Sequence, residues 1–335
     1  MRHRILLVGP GSISRKYVEV ISTLEGMTTV GVVGRRAQIT KDYADEYNIP
    51  HYGTNIKDVA NRAKPTMALI TTPNATHYEG VIESARLGLD VLCEKPLHIQ
   101  TEKQEKMIRI CKENGVKLGV GFSYRLLKVM QYLKNLIESG NLGKVLVIDA
   151  RLKTWRKKEY YTQSSWHGTY KIDGGGPFIQ QGIHIIDLAL WLGNGYQEVI
   201  SAERFNLYHS IEVEDHGYGV VRYGNGAVGM IEVSTVTKGY NFNEVEITGT
   251  RGSITVSFEG IVRWNIDGRE KPDIKEEDDI KSTVFKRLLL DFKEAIEQDR
   301  EPFINGESGK IAVDFVNELY NKSRNVLKVG DDYEL

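Results

Sequence analysis

The stretch Leu89-Asp90-Val91-Leu92-Cys93-Glu94-Lys95-Pro96-Leu97 is a short apolar segment that runs directly into an acid, a base and a proline. Consecutive apolar residues of this kind are typical of a strand in the buried middle of a parallel sheet. Ligands of such sheets bind beyond the carboxyl ends of the strands, which is where Glu94 and Lys95 stand. Pro96 has a fixed φ and restricts Lys95 to extended geometry. A lone Glu-Lys-Pro would be an ordinary surface turn, so the neighbouring segments must distinguish a turn from a site.

Strand and helix patterns alternate on both sides of this strand, over residues 3–122. Alternation of this kind is typical of a doubly wound parallel sheet whose helical crossover connections are right-handed. The predicted strands, besides the quoted one, are Arg4–Val8, Thr28–Val33, Met67–Thr72 and Val116–Gly121. The predicted helices are Ser14–Leu24, Ile39–Tyr47, Asn55–Arg62, Thr76–Leu87 and Thr101–Asn114.

The pattern changes after Gly121, and the rest of the chain is typical of an α+β domain with a large, mostly antiparallel sheet. Alternating strands run from Glu198 to Trp264, and Tyr223-Gly224-Asn225-Gly226 is a hairpin signal. The other predicted elements are a helix at Leu127–Ser139, a strand at Lys144–Leu152, a helix that ends at Leu192, an exposed charged loop at Asp267–Lys281, and helices near Val284–Gln298 and Gly309–Asn325. We therefore predict two domains, residues 1–122 and residues 123–335.

Length and composition exclude several classes of protein. The 335 residues suit two domains, and the formal net charge of −1 provides no basic field for nucleic acid or an anionic membrane. Apolar runs span only a few residues, far short of the ~20 needed to cross a bilayer, and the first is too short for a signal peptide. Cys93 and Cys111 have neither a pairing nor a metal-site spacing. We expect buried free thiols, no metal, and a reducing compartment, the cytoplasm.

The segment Val8-Gly9-Pro10-Gly11-Ser12-Ile13-Ser14 follows the first strand and opens the first helix. It matches the Gly-x-Gly-x-x-Gly fingerprint, with Ser14 in the place of the third glycine. Glycines there let the backbone approach a pyrophosphate, and free N–H groups at the helix N-terminus favour anions. We therefore predict a dinucleotide site in this segment. Its candidate contacts are Gly9, Gly11, Ser12 and Ile13.

The position that distinguishes NAD from NADP lies ~20 residues beyond the glycine segment, where NAD sites usually carry an acid for the ribose hydroxyls. Here that position holds Gly34, followed by Arg35 and Arg36. No acid is present to repel a 2′-phosphate, and two guanidiniums can bind it through paired hydrogen bonds. The alternative is a solvated loop with two arginines; we favour NADP over NAD.

A third strand end carries polar residues, in Thr71-Thr72-Pro73-Asn74-Ala75-Thr76-His77. Pro73 and Asn74 also suit an ordinary turn and helix start. The segment is nevertheless predicted at the same sheet edge as the glycine segment and Glu94-Lys95-Pro96, so three strand ends converge on one crevice. The further candidate cofactor contacts are Thr72, Pro73, Asn74, His77, Glu94 and Lys95.

The helix predicted after Gly174-Gly175-Gly176 carries a polar stripe on an otherwise apolar surface. The stripe has the spacing i, i+4, i+7 and i+11 and consists of Gln180, His184, Asp187 and Trp191. A helix that is apolar almost all round is buried, so its polar groups must face partners or a ligand. His184 is either a core histidine bonded to a group such as Asp187, or a proton donor and acceptor for interconversion of an alcohol and a ketone.

An aromatic segment lies upstream of this helix, with Tyr160, Tyr161, Trp166 and His167 in a predicted loop. Such side chains offer stacking surface and hydrogen bonds to sugars and nucleotide sugars, although aromatic loops also simply pack. Trp166 and His167 are the candidate substrate contacts in this loop.

Several short motifs occur together in one order along nearly the whole chain. They are Gly9-x-Gly11, Thr72-Pro73-Asn74-x-x-His77, Glu94-Lys95-Pro96-Leu97, Gly174-Gly175-Gly176, Gly182-x-His184-x-x-Asp187 and Asn305-Gly306-Glu307-Ser308-Gly309. The ordered set resembles the glucose-fructose oxidoreductase, inositol dehydrogenase and rhizopine catabolism (Gfo/Idh/MocA) family. The resemblance implies an N-terminal Rossmann domain, a C-terminal α/β domain with an open sheet, and a homodimer or homotetramer assembled through the face of that sheet.

The resemblance also implies catalytic roles for Lys95 and His184, with Pro73 and Asn74 near the cofactor. Family members commonly carry an acid four residues before the histidine, whereas this chain has Gln180. An amide cannot shuttle protons, so we expect Gln180 to orient the substrate.

The expected reaction is reversible oxidation of a secondary ring hydroxyl of a sugar, nucleotide sugar or cyclitol, with hydride passing to nicotinamide. The segment Trp166-His167-Gly168-Thr169 is similar to a branch that acts on sugars and nucleotide sugars. His184 would take the hydroxyl proton. Lys95, whose ordinary pKa is about 10.4, would have that pKa lowered by burial and the nicotinamide charge, and would hydrogen-bond the reacting oxygen or relay the proton. Two alternatives share the fold: a non-catalytic NADP-sensing regulator, and an enzyme that recycles bound cofactor during glycoside hydrolysis or sugar-to-sugar oxidoreduction.

Overall fold

The computed structural model describes residues 3–162, 166–323 and 326–328, and within them the chain divides into two compact units. The first unit runs to Ser123 and includes Lys281–Lys310. The second comprises Tyr124–Ile280 and the described residues from Ile311 onward. The division predicted from the sequence assigned all of residues 123–335 to the second domain, whereas the returning segment Lys281–Lys310 packs within the first unit.

The first unit is built on one six-stranded sheet. Its strands are β1 (His3–Val8), β2 (Met27–Val33), β3 (His51–Gly53), β4 (Met67–Ile70), β5 (Asp90–Cys93) and β6 (Leu118–Val120). Their order is β3-β2-β1-β4-β5-β6, and every pair is parallel. The connecting helices are α1 (Ser12–Ser22), α2 (Ala37–Glu46), α3 (Ile56–Ala63), α4 (His77–Arg86) and α5 (Thr101–Glu113). The predicted doubly wound parallel sheet is confirmed.

The central strands are unbroken apolar runs because the helices cover both faces of this sheet. Ile5–Leu7 of β1 and the whole of β4, Met67–Ile70, are fully buried. The chain builds β1, β2 and β3 outward in one direction and then crosses to β4 on the other side of β1. In doubly wound sheets such a reversal opens a crevice at the carboxyl ends of the strands, and the loops that follow β1, β4 and β5 begin at that edge.

The returning segment belongs to the first unit because it adds both apolar contacts and backbone pairing. Helix α9 (Ile280–Glu297) brings Phe285 onto Tyr17, with ring centroids 4.3 Å apart and planes inclined by 6°. Farther along, the N–H of Val120 in β6 donates to the carbonyl of Ile304 at 2.9 Å. The two partners in each of these contacts are more than 180 residues apart in the sequence, so no local sequence pattern predicts the contact.

The second unit is built on an eight-stranded sheet. Its strands are β7 (Val145–Lys153), β8 (Tyr196–Asn206), β9 (His216–Tyr223), β10 (Val228–Ser234), β11 (Phe242–Gly249), β12 (Gly252–Ser257), β13 (Gly260–Ile266) and β14 (Leu327–Lys328). Their order is β13-β12-β11-β7-β10-β9-β8-β14. The pairs β7–β10 and β8–β14 are parallel and the other pairs are antiparallel. The predicted mostly antiparallel sheet is therefore confirmed.

This sheet has one covered face and one open face. The helices of the second unit are α6 (Lys128–Glu138), α7 (Lys158–Thr162), α8 (Ile183–Leu192) and, from Ile311 onward, α10 (Gly306–Lys322). Helix α8 packs on β7 and β11. Along β10, Ile231 and Val233 are completely buried, whereas Val228 and Met230 are 37% and 38% exposed, the alternation of a strand with one face in the core.

The start of α8 differs from the prediction. The helix begins at Ile183, because residues 177–182 form turns in which the N–H of Gly182 donates to the carbonyl of Pro177 at 2.6 Å. That bond spans five residues rather than the four of an α-helix. Gln180 therefore precedes the helix and does not share its polar stripe with His184. The loop upstream also contains the short helix α7, which the sequence patterns did not predict.

The described helices include none that is both long and apolar enough to cross a membrane. Helix α9 has 18 residues, but charged side chains such as Lys286, Arg287 and Asp291 interrupt its apolar sequence.

Candidate active site

The glycine segment after β1 is held by close backbone contact with the end of β4. Gly9 has φ +104°, and a Cβ added to it would lie 2.7 Å from the N of Thr72. The hydroxyl of Thr71 donates to the Gly9 carbonyl at 2.8 Å. Only glycine meets both the backbone conformation and the contact, so Gly9 fixes the path of the loop.

Gly11 has a different reason to be glycine. It is the N-cap of α1, and a Cβ added there would contact no protein atom within 4 Å. Packing therefore does not require glycine here, and the missing Cβ leaves room for a ligand to approach the helix N-terminus. Ser12 and Ile13 form the first turn, whose N–H groups point towards that end of the helix. The segment fits the pyrophosphate of a dinucleotide.

Ser14, which occupies the place of the third glycine, is accommodated by hydrogen bonds. The side chain is completely buried, and its Oγ accepts from the N–H of Gly11 at 3.0 Å. The same oxygen lies 2.9 Å from the hydroxyl of Tyr43 in α2. Ser14 therefore replaces glycine without disturbing the turn.

The end of β2 leaves no room for the acid that NAD sites usually carry. A Cβ at Gly34 would lie 2.5 Å from Oγ1 of Thr40 and 2.7 Å from the ring of Pro10 in the glycine segment. Arg35 and Arg36 follow directly and are both exposed, ahead of α2. The edge beside the glycine segment is thus free of a carboxylate at position 34 and carries two guanidiniums.

The turn after β4 is tied to the turn after β5 by one histidine. His77 is buried, with Nδ1 2.8 Å from the carbonyl of Pro96 and Nε2 2.7 Å from the carbonyl of Thr72. Burial lowers the pKa of His77, and its two backbone acceptors oppose that shift. His77 therefore joins the segment of Pro73 and Asn74 to that of Lys95 through its ring.

Glu94 is a buried hydrogen-bonded carboxylate rather than an exposed acid. It accepts from the hydroxyl of Tyr17 at 2.6 Å and from the N–H of Lys95 at 3.0 Å. Burial raises the pKa of Glu94, although the charge of Lys95 and the bond from Tyr17 lower it. Lys95 follows half-buried, and the Lys95–Pro96 peptide bond is cis. Glu94 thus supports the turn that presents Lys95.

In the second unit, α8 is anchored by a buried ion pair. Asp187 is 2% exposed and Arg125 4% exposed. The guanidinium donates from Nε to Oδ2 at 2.8 Å, and from Nη2 to Oδ1. Burial raises the pKa of Asp187, and the guanidinium opposes the shift. Asp187 is therefore the partner of Arg125 and not of His184, which answers one alternative left by the sequence.

His184 lies in the first turn of α8 and is half-buried, in a helix whose other residues up to Leu190 are all buried. Its ring meets the ring of Tyr124 edge to face, with centroids 4.7 Å apart. Tyr124 in turn packs on Phe258, at 4.3 Å. The aromatic contact orients the imidazole while leaving part of it accessible.

The triple glycine before α8 contacts Glu214 and Tyr320, two residues that the sequence analysis did not identify. Gly175 has φ +150°, and a Cβ there would lie 2.0 Å from the hydroxyl of Tyr320. Oε1 of the completely buried Glu214 accepts from the N–H of Gly176 at 3.1 Å and from the Tyr320 hydroxyl at 2.8 Å. Burial raises the pKa of Glu214 to about 7. The sequence signal that could have identified Glu214 is the pair of acids Glu214-Asp215 in a region that otherwise has the pattern of strands.

The predicted substrate residues of the aromatic segment pack on one another and on the turn before α8. His167 stacks on Tyr160, with centroids 4.4 Å apart and planes inclined by 17°, and Trp166 lies 4.0 Å from His167. The hydroxyl of Tyr160 accepts from Nε2 of Gln181 at 3.2 Å. Trp166 and His167 are therefore linked through one ring to the residue that follows Gln180.

No cluster of three or more His, Cys, Asp or Glu side chains suited to a metal ion occurs in the ranges that the structure describes.

Two family models match this chain. The model for the oxidoreductase family with an NAD-binding Rossmann fold matches residues 3–122, and that for the GFO/IDH/MocA C-terminal domain matches residues 130–255. The two ranges span more than two thirds of the chain. The protein belongs to the Gfo/Idh/MocA family of oxidoreductases, and its first unit is an NAD-binding Rossmann domain.

Individual relatives are similar over most of their length. The chain is 25% identical over 298 residues to 2,7-anhydro-N-acetylneuraminate hydratase of Mediterraneibacter gnavus, covering 85% of this chain and 76% of the relative. It is 24% identical over 319 residues to 1,5-anhydro-D-fructose reductase of Ensifer adhaerens, covering 90% and 91%. The WlbA dehydrogenase of Bordetella pertussis, solved with NADH and UDP-GlcNAcA, has a TM-score of 0.87 at 26% identity, covering 96% of this chain and 95% of that one.

Replacing Asp187 with alanine should strongly destabilise the second unit, because the Arg125 guanidinium would remain buried without its carboxylate. We expect Asp187→Ala to lower the free energy of unfolding by about 3–5 kcal/mol, measured by urea denaturation. The matched control is Glu198→Ala, which removes the carboxylate of an exposed pair with Arg222 and should cost about 0–1 kcal/mol. Equal small losses in both variants would contradict the anchoring role.

Proposed function

We propose that this protein is an NAD(P)-dependent dehydrogenase or reductase that interconverts a secondary hydroxyl and a ketone on a sugar, nucleotide sugar or cyclitol. Membership of the oxidoreductase family supports the reaction class. The substrate class is supported by relatives whose names denote sugar derivatives. The nicotinamide, when bound, supplies the hydride acceptor or donor.

The observation that carries the proposal is the order of the loops at the carboxyl edge of the first sheet. The glycine segment follows β1, the Pro73–Asn74 turn follows β4, and the Glu94–Pro96 turn follows β5. These three strands are direct neighbours, about 4.8 Å apart each. A dinucleotide whose pyrophosphate lies on the N-terminus of α1 would therefore extend past Pro73 towards Lys95.

Lys95 and His184 are the residues to which we assign the proton chemistry. The turn that carries Lys95 is braced by Glu94 and by His77, which limits the side chain to one region at the end of β5. His184 is braced by Tyr124, on a helix fixed by Asp187. Lys95 hydrogen-bonds the reacting oxygen, and His184 takes the hydroxyl proton during oxidation and returns it during reduction. Gln180 orients the substrate, since an amide cannot act as a general acid or base at neutral pH.

A second candidate function is net hydration or hydrolysis with recycled cofactor. The support is the 25% identical relative from Mediterraneibacter gnavus, which is named a hydratase although it shares the family. A non-catalytic NADP-sensing regulator is the third candidate, and the retained Lys95 and His184 argue against it.

Lys95→Ala and His184→Asn should each abolish most turnover without loss of cofactor binding. We expect kcat to fall by about 10²–10⁴-fold, as for the loss of a general acid or base. Cofactor dissociation constants, measured by fluorescence titration, should change by less than about threefold. The control is Lys106→Ala, an exposed lysine of α5, which should behave as the native protein.

Turnover is screened spectrophotometrically across sugars, nucleotide sugars and cyclitols. Net NAD(P)H formation or consumption identifies a dehydrogenase or reductase. Substrate conversion without net cofactor change identifies the recycling alternative, and tight cofactor binding with no conversion identifies a sensor. Normal turnover by Lys95→Ala would refute the assignment of that residue.

We further propose that NADP is preferred to NAD. The close contact of Gly34 with Thr40 and Pro10 excludes the acid that would repel a 2′-phosphate. Arg35 and Arg36 stand exposed at the same strand end and suit bidentate phosphate binding.

Arg35→Ala with Arg36→Ala should weaken NADPH binding selectively. Hydrogen bonds to charged groups contribute about 1.5–3 kcal/mol, so we expect about a 10- to 100-fold rise in the Kd for NADPH and little change for NADH. Fluorescence titration of both cofactors measures the difference. Lys41→Ala, which removes a charge of α2 paired with Asp45, is the control. Tighter binding of NADH than NADPH by the native protein would overturn the preference.

We also propose that copies of the chain associate through the open face of the second sheet. This face carries Val228 and Met230 exposed among charged neighbours such as Arg151 and Glu232. The family resemblance supports assembly by the same face. A cytoplasmic location is proposed from Cys93 and Cys111, which are free and buried, as in a reducing compartment.

Met230→Glu should dissociate the proposed assembly, because association would bury a carboxylate beside Glu232. Light scattering after size-exclusion chromatography should give the mass of one chain for the variant and of two or four for the native protein. Ile39→Glu, the same change at a residue of α2 that is 40% exposed, should leave the native mass. A native protein that already has the mass of one chain refutes the assembly.

A further inference from the structure

Arg156 is held in place immediately after β7 by backbone bonds on both sides. Its N–H donates to the carbonyl of Thr235 at 2.9 Å, and Trp155 forms an isolated antiparallel bridge with Val236. The position of the Arg156 backbone is therefore as well determined as that of the strand it follows. Its side chain projects from a rigid part of the second unit.

The guanidinium of Arg156 is half-buried but lacks the partners that such a charge normally has. Its Nε is buried without a hydrogen-bond partner, and no carboxylate in the described ranges forms an ion pair with the side chain. The carbon of the guanidinium lies 4.9 Å from the centre of the Tyr160 ring. Partial removal from water without a counter-charge is unfavourable, unless a ligand supplies the anion.

Other buried arginines of the second unit are paired by protein groups. Arg125 forms its two-pronged bond with Asp187. Arg204 donates from Nε to Ser323 at 2.6 Å and from Nη1 to Tyr170 at 2.9 Å. The lack of such bonds at Arg156 is thus a local property and not the general behaviour of arginine in this fold.

The surroundings of Arg156 connect it to the segment that carries the proposed catalytic histidine. The ring of Tyr160 lies beneath the guanidinium, and its hydroxyl accepts a hydrogen bond from Nε2 of Gln181, three residues before His184. The same Tyr160 ring also stacks on the ring of His167. Burial lowers the pKa of His167, the hydrogen bond to the backbone of Tyr160 opposes that shift, and the charge of Arg156 lowers the pKa further.

The chemistry of this group of side chains fits a sugar with an anionic substituent. A guanidinium presents paired donors to a carboxylate or a phosphate, and aromatic faces such as Trp166 and His167 suit the apolar face of a sugar ring. We propose that Arg156 binds an anionic group of the substrate, so that this protein acts on acidic or phosphorylated sugars in preference to neutral ones. The inference rests on the proposed function and narrows its substrate class.

Binding is tested first, by isothermal titration calorimetry on cofactor-loaded protein, because binding does not require turnover. The ligands are D-glucose, D-glucuronate, D-glucose 6-phosphate and UDP-D-glucose. We expect at least one anionic ligand to bind about 10-fold or more tightly than glucose. Glucuronate alone would identify a carboxylate as the recognised group, and the two phosphates would identify a phosphate.

Substitution of Arg156 assigns the preference to this residue. Arg156→Gln should weaken binding of the preferred anion by about 10- to 100-fold, the loss expected for charge-assisted hydrogen bonds, and leave glucose unchanged. Arg156→Lys should recover part of the affinity. The matched control is Arg151→Gln, an arginine of β7 that also stacks on an aromatic ring, Phe242, but lies five residues away on the strand itself.

Kinetics then separate this inference from the proposed function. In turnover assays the Arg156→Gln variant should raise KM for the anionic sugar and change kcat little. Equal losses for glucose and for the anions, or no detectable binding of any anion by the native protein, would overturn the inference. Anionic sugars turned over with the same KM by the native protein and Arg156→Gln would overturn it too, while the dehydrogenase assignment would stand.

Discussion

The buried ion pair between Arg125 and Asp187 is the interaction on which the placement of helix α8 within the second unit depends. Helix α8 is apolar at nearly every position, so hydrophobic burial alone does not determine its rotation about its axis. The two-pronged bond determines that rotation, because a buried charge must meet its partner or lose several kcal/mol. It thereby leaves His184, one turn earlier, as the half-exposed residue of the first turn.

In the first unit the corresponding constraint is the proximity of backbone segments. The loop after β1 touches the end of β4 at Gly9 and the end of β2 at Gly34, with no space for a Cβ at either place. Gly11, by contrast, faces no protein atom. Packing thus explains Gly9 and Gly34, whereas Gly11 leaves the N-terminus of α1 open, as a helix terminus that is to bind an anion requires.

Both units therefore use the same physical arrangement, in which buried polar residues hold a more exposed reactive group. Glu94 and His77 support the turn of Lys95, and Glu214 with Tyr320 supports the glycine turn that leads to α8. None of these supporting groups needs to touch a substrate. Each of them limits the conformations of the neighbouring segment that we propose contacts the substrate, as preorganised sites require.

Much of the first unit could be predicted from the sequence because its signals are local. The period of the apolar residues, the glycine fingerprint and the prolines all act within a few residues, so five of the six strands and the helices α1 to α5 were predicted to within a few residues. The three-residue edge strand β3 (His51–Gly53) was not predicted, because it is too short to show a period. The helix predicted to include Gln180 was wrong at its start, because tight glycine and proline turns precede Ile183. The N–H of Gly176, just before those turns, is bonded to Glu214, 38 residues away, and Glu214 is bonded in turn to Tyr320.

The sequence by itself determined the class of each sheet, the cofactor end of the first unit and the identity of the candidate catalytic residues, since pattern and motif are properties of neighbouring residues. Only the tertiary structure decided the partner of Asp187, the return of Lys281–Lys310 to the first unit, the hydrogen-bond partners of Glu94 and, within the described residues, the lack of an ion-pair partner for Arg156. The physical reason is that hydrogen bonds and burial join residues distant in the chain. A pairing between two such residues leaves no periodic trace in either segment.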